Sequence, residues 1–361
     1  LKSHKLIATA VQISVSLSLA VQGLALAADD AAVDAQIAKG DKLMSKLPLT
    51  PQQLKLAVSA FQEAVRMNPD SPKAHQRLAA SLGASGEDHY ETAINEAKLS
   101  VKLDPKYFMP HVTLGQVYTN QGKIDEALAE FKQAIELKPT SFGAQVDYGV
   151  ALLQKGSIDE SITAFRKAAE LKPERALPHL NLGILLSRKG NLKEAIKEEE
   201  EAIKLEPKFP EAYVNLGNIN LDAKDYEQAG DAFKHALKIA PGHPNALSGL
   251  GVVQFEKGFT DEGIKSQQMA IRSYPRFMPA HIRLGEFLLK KGDTAKAEIA
   301  FKNAVAISPK DVTVRTAYAK FLEKQGNKEA AKSEYNAALE INPQFKPASE
   351  GLATLNAGGT K

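Results

Sequence analysis

The sequence predicts an all-α solenoid of stacked two-helix repeats, and three observations predict it. Proline closes one phrase at a fixed step: Pro69, Pro105, Pro139, Pro173, Pro207, Pro241, Pro275, Pro309 and Pro343 lie 36 residues apart once and 34 apart thereafter. A Leu–Gly or Tyr–Gly pair keeps that step from Leu114 and Gly115, through Tyr148 and Gly149, to Leu284 and Gly285. Between these marks the core-forming side chains fall at helical spacing, as with His111, Leu114 and Tyr118, then Ala127, Phe131, Ala134 and Ile135.

Each element of a repeat has a local cause. Gly122, Gly156, Gly190, Gly258, Gly292 and Gly326 follow the first helix, where a left-handed residue ends it. Ser157, Asn191, Asp225, Asp293 and Asn327 come next, each able to cap the second helix. That helix carries a small residue, then a ring four positions on (Phe61, Phe131, Phe165, Phe233, Phe301, Tyr335). The period-setting proline stops it. Pro110, Pro178 and Pro244 sit near the start of a following helix, where a missing N–H is harmless. A helix pair cannot bury both faces alone, so the repeats must stack.

The 34-residue length, the Leu–Gly pair, the small-residue-to-ring spacing and the closing proline together resemble the tetratricopeptide repeat family. The resemblance covers 33–343 as nine repeats: 33–71, 72–107, 108–141, 142–175, 176–209, 210–243, 244–277, 278–311 and 312–345. Residues 346–356 read as a capping helix and 357–361 as a flexible tail. The first repeat departs with the loop "LPLTPQQL" (47–54), the second with extra residues around 86–90, and the family's usual tryptophan is absent. The resemblance implies a right-handed superhelix whose first helices line a concave face. It also implies a non-catalytic role in binding a protein or peptide.

Residues 1–27 stand apart. Lys2 and Lys5 precede an apolar run that closes on Ala25, Leu26 and Ala27, the pattern of a bacterial secretory signal cut before Ala28. An uncleaved anchor is the alternative. Cleavage leaves no stable membrane insertion and a periplasmic or secreted protein. The chain has no cysteine, which excludes disulfides and thiolate metal sites. A net charge of +3 is too balanced to suggest nucleic acid.

No catalytic constellation, metal site or cofactor motif emerges. His75, His111, His179 and His281 share one column of the repeat, so stacking spreads them out, and they read as packing in the tryptophan position. "GLG" at 249–251 follows no strand. "EEEE" at 198–201 reads as a mostly solvated face, yet Glu199, like Gln267, stands in the ring column. Both read as packing defects, because a polar group there must be solvated or paired.

By the same resemblance, the first helices supply the candidate groove. One column reads Val112, Val146, Leu180, Val214, Ser248 and Ile282, and a second Gln116, Val150, Ile184, Asn218, Val252 and Glu286. A third reads Thr119, Leu153, Ser187, Leu221, Phe255 and Leu289. Beside them run Arg77, Thr113, Asp147, Asn181 and Asn215. The family's carboxylate clamp places lysine and asparagine where this chain has Val112, Val146 and Leu180. The expected peptide-binding groove is therefore Val112, Thr113, Gln116, Val146, Asp147, Val150, Leu153, Leu180, Asn181, Ile184, Val214, Asn215, Asn218, Leu221, Val252 and Phe255. Asp147, Asp222 and Glu256 favour a ligand with some positive charge. Two alternatives stand beside this reading: the apolar columns pack between repeats, and the chain is a self-associating envelope scaffold. The oligomeric state is open.

Overall fold

The computed structural model describes residues 30–46 and 48–357; the expected leader lies outside them, as do the last four residues of the tail. Helix α1 covers 30–44. It pairs with α2 (Pro51–Met67), after which the pairs are α3 (Pro72–Ala84) with α4 (Tyr90–Leu103), α5 (Met109–Asn120) with α6 (Ile124–Leu137), and α7 (Phe142–Lys155) with α8 (Ile158–Leu171). They continue with α9 (Ala176–Arg188) and α10 (Leu192–Leu205), α11 (Pro210–Asp222) and α12 (Tyr226–Ile239), and α13 (Pro244–Glu256) and α14 (Thr260–Ser273). Last come α15 (Met278–Lys291) and α16 (Thr294–Ile307), α17 (Val312–Lys324) and α18 (Lys328–Ile341), and the single helix α19 (Lys346–Ala357). A 3₁₀ turn, Glu87–His89, absorbs the extra residues of the second repeat. The described residues contain no strand.

The proline acts one residue early. Each residue before a period-setting proline has left the helical region, with φ from −130° at Glu206 to −141° at Lys172 and positive ψ. The proline ring crowds the α conformation of its predecessor, and the helix ends there. The turn after the first helix needs a left-handed residue, as Gly122 shows at φ 73°. In the sixth repeat Lys224 takes that role at φ 60°, the one non-glycine residue with positive φ among those described. Thr50 opens α2 with a reciprocal capping box involving Gln53. Asp225, Asp293 and Asn327 cap as expected. Ser157 and Asn191 do not; acidic residues in the first turns of α8 and α10 supply the favourable charge instead.

The chain divides into two compact units, one reaching Pro173 and one beginning at Glu174. In the first, Val33 and Ile37 of α1 pack with Phe61, Leu78 and Val117. Phe131 lies under Gly115, where an added Cβ would come within 2.5 Å of the ring. Glycine there lets the helices of a pair approach closely enough for the ring to fill the space between them. In the second unit, Val214, Phe233 and Val253 form one cluster. A larger one joins Phe255, Phe287, Phe301, Tyr318, Phe321 and Tyr335, and α19 covers its end through Ala348 and Leu355.

The two polar occupants of the ring column behave differently. Gln267 is fully buried and fully paired: the Ser248 hydroxyl donates to its Oε1 at 2.8 Å, and its Nε2 donates to the Ser248 carbonyl at 2.9 Å. It is a built hydrogen-bond pair and not a defect. Glu199 is also fully buried, but neither carboxylate oxygen completes a hydrogen bond. Burial pushes its pKa up to about 9; the nearby Asn215 amide offsets part of this and Glu198 adds to it. The run at 198–201 is thus not a solvated face throughout. Glu199 lies inside, and Glu198 contacts Nδ1 of His179 at 2.7 Å.

The histidine column is a set of cross-links. His75 and His111 meet Glu96 and Glu130 through Nδ1 at 2.5 and 2.7 Å. His75 and His281 also meet the carbonyls of Pro69 and Pro275 through Nε2. In the last repeat Arg315 does both, bonding the Pro309 carbonyl and Glu334. His75, His281 and Arg315 thus tie the exit of one repeat to the helix pair of the next, while His111 and His179 join the two helices of their own repeat.

Candidate protein-binding face

The first helices of neighbouring repeats touch within each unit: α3 with α5 and α5 with α7, then α9 with α11, α11 with α13 and α13 with α15. Their inward columns do not all face a groove. Val112, Val146, Leu180 and Val214 are only 5–8% exposed. Val112 packs in a cluster with Ala144 and Ala151 of α7, Leu180 with Ala212 of α11, and Val214 with Ala246 and Val253 of α13. At Val112, Leu180 and Val214 the branched chain bridges successive first helices, so its apolar surface is spent on stacking.

The polar column is also partly spent. Thr113 is buried and receives a hydrogen bond from Gln76 Nε2 at 3.0 Å, and Gln76 Oε1 in turn accepts from Tyr107. Asn181 Nδ2 donates to the Leu177 carbonyl of its own helix at 2.9 Å. Asn215 lies against Glu199. Exposed Gln116 and half-buried Asp147 form a pair joining α5 to α7, with Nε2 donating to Oδ2 at 2.7 Å. Burial raises the Asp147 pKa, and the Gln116 bond counters part of the shift. Val150, Leu153 and Ile184 are half-buried.

An open face is best developed in the second unit. A hollow of about 550 Å³ is lined by Asn218, Leu221, Asp222, Val252, Glu256 and Arg283, among others. Val252, Glu256 and Arg283 also line the next, of about 380 Å³, with Phe255, Glu286, Leu289 and Lys324. Glu286, Leu289 and Lys324 pass into a third, of about 690 Å³, floored by Phe301, Phe321 and Phe345. Shared walls make the three one groove along α11, α13, α15 and α17, ending at α19. Of the expected residues, Asn218, Leu221, Val252 and Phe255 lie in it. Phe255 is stacked on Phe287 with centroids 3.9 Å apart, and the Lys290 ammonium sits 4.6 Å from its ring.

The groove runs beyond the expected residues to Arg283, Lys290, Lys320, Lys324 and Phe345. A signal for them exists in the sequence: the repeat step carries Asp222 to Glu256, then to Lys290 and Lys324, so one column changes sign.

Comparison with known proteins agrees with this architecture. Family models described as tetratricopeptide repeat match residues 112–176, 180–244 and 248–312, and a second such model matches 288–355. A curated relative, the small glutamine-rich tetratricopeptide repeat-containing protein 2 of Mycosarcoma maydis, is 28% identical over 96 residues, which is 26% of this chain and 27% of that protein. The chain thus spans about a quarter of that relative. Among solved structures, a tetratricopeptide repeat protein from Parabacteroides merdae aligns with TM-score 0.60 at 16% identity, over 69% of this chain and 98% of that one. A chain of the APC/C hetero-tetramer Cut9-Hcn1 aligns with TM-score 0.55 at 20% identity, over 80% of this chain and 56% of that one.

Proposed function

The chain belongs to the tetratricopeptide repeat family, and from that premise we propose that it holds a segment of a partner protein along the first helices of its second compact unit. Such repeats generally mediate protein–protein contact, and the role is non-catalytic. The observation that carries the reading is the continuous groove from Asn218 to Phe345, whose apolar floor is bordered by charge. A floor of this kind gives affinity through burial, and the charged border selects the partner.

The Lys2 and Lys5 start, the apolar run and the Ala25–Ala27 close support export, so the partner belongs to the cell envelope. Amino-terminal sequencing of native protein should begin near Ala28; a start at Leu1 with membrane extraction argues against this. Partner capture tests the groove. Leu221→Asp, and Asn218→Arg on the exposed edge, should weaken capture while helicity is kept; the outward Lys197→Ala should not. If all three capture as wild type does and the particle mass falls on dilution, the self-associating scaffold becomes the better account.

A further inference from the structure

This inference rests on the groove reading above and specifies the ligand. The border column that is acidic at Asp222 and Glu256 is basic at Lys290 and Lys324, and Lys320 stands beside Lys324 on the next turn of α17. In the hollow of about 690 Å³, Lys320 and Lys324 frame a floor of Leu289, Phe301, Phe321 and Phe345. Among the described residues neither lysine has an ion-pair partner, nor has Arg283 one repeat back.

Two carboxylates, Glu286 and Glu323, share that hollow. Glu323 accepts the Tyr335 hydroxyl at 2.9 Å. Crowding by the groove walls raises the Glu286 pKa, although Arg283 and Lys324 oppose the rise. Thr316, on the same wall, is 4% exposed and its Oγ1 has no hydrogen-bond partner. The excess of cations arises where the hollows of about 380 and 690 Å³ join, with Arg283, Lys290, Lys320 and Lys324 against Glu256, Glu286 and Glu323; at the Asp222 end Lys224 and Arg283 only match Asp222 and Glu256.

We infer that the end of the groove formed by α15, α17 and α19 takes an acidic peptide segment bearing an apolar or aromatic residue. The apolar residue enters the phenylalanine-floored hollow, and flanking carboxylates meet Lys320, Lys324 and Lys290. This reverses the charge preference expected from Asp147, Asp222 and Glu256 alone. One repeat advances about 10 Å, roughly three extended residues, so a carboxylate about three positions from the anchor reaches the next lysine.

The test pans a library of short random peptides over the full chain, then over Lys320→Glu/Lys324→Glu, with circular dichroism confirming that both are folded. The expected result is enrichment of sequences with Asp or Glu flanking an aromatic or branched apolar residue. One such peptide, resynthesised, should bind the reversed variant roughly tenfold or more weaker and lose affinity as salt rises. Enriched peptides that are basic or unbiased in charge overturn the inference and leave the groove reading standing. Acidic peptides that bind the reversed variant equally well also overturn it, because the lysines are then not the contact. No enrichment of any kind overturns the inference and the groove reading together.

Discussion

Gly183 lies over the carboxylate of Glu199 as Gly115 lies over the ring of Phe131: a Cβ on Gly183 would come within 2.5 Å of Glu199 Oε1, and one on Gly115 within 2.5 Å of the Phe131 ring. The fifth repeat therefore keeps the space for a ring and fills it with an unpaired carboxyl group. It is the clearest energetic weak point in the described residues, since a buried polar group without a partner forfeits its hydration.

Replacing Glu199 by phenylalanine should stabilise the fifth repeat. The change removes an unpaired polar group, worth about 1–3 kcal/mol, and adds ring burial of similar size. Urea unfolding followed by circular dichroism should show a higher midpoint than wild type. A lower midpoint would mean that the space below Gly183 is shaped for the carboxyl group after all.

The same residue ties stability to pH. The Glu199 pKa is raised from 4.5 to about 9, so between those values the folded state holds a proton that the unfolded state has released. Stability must then fall as pH rises across that window and level off above it. Glu199→Gln should lack this component. Unfolding midpoints of both proteins at pH 5, 7 and roughly 9 check the sign, and parallel profiles would contradict it.

Much of the fold was legible because the repeat step shows each structural column again and again. Pro105, Gly115, Gly122 and Phe131 each have a local reason that recurs. The binding face was legible only in part. Val112 and Val150 look alike in a list, but the first is buried between α5 and α7 and the second half-exposed, and only stacking geometry separates them. The bonds from Gln76 to Thr113 and from Gln116 to Asp147 cross between repeats, 37 and 31 residues apart, with no local pattern to announce them. Gln267 and Glu199 share a column and a polar character; Ser248, 19 residues before Gln267, decides that only one is satisfied.

Lys224 offers a check on the turn argument. Its φ of 60° is a conformation that glycine adopts freely and other residues adopt at about 1 kcal/mol or more. Lys224→Gly should raise the unfolding midpoint slightly, by up to about 1 kcal/mol after the added freedom of the unfolded chain is counted. Gly258→Lys, at φ 89° in the next repeat, should lower it. If both changes act in the same direction, the turn is not what sets the difference.

Whether the first-helix groove holds the partner is best read by site-specific photo-crosslinking in cells that make the protein. A photoreactive residue is placed in turn at Asn218, Glu256 and Lys320 on the groove, and at Lys197 on an outward second helix. The account predicts the same partner adduct from all three groove positions, none from Lys197, and loss of the groove adducts in the Leu221→Asp background. Adducts from Lys197 alone, or groove adducts consisting only of a second copy of this chain, would contradict it.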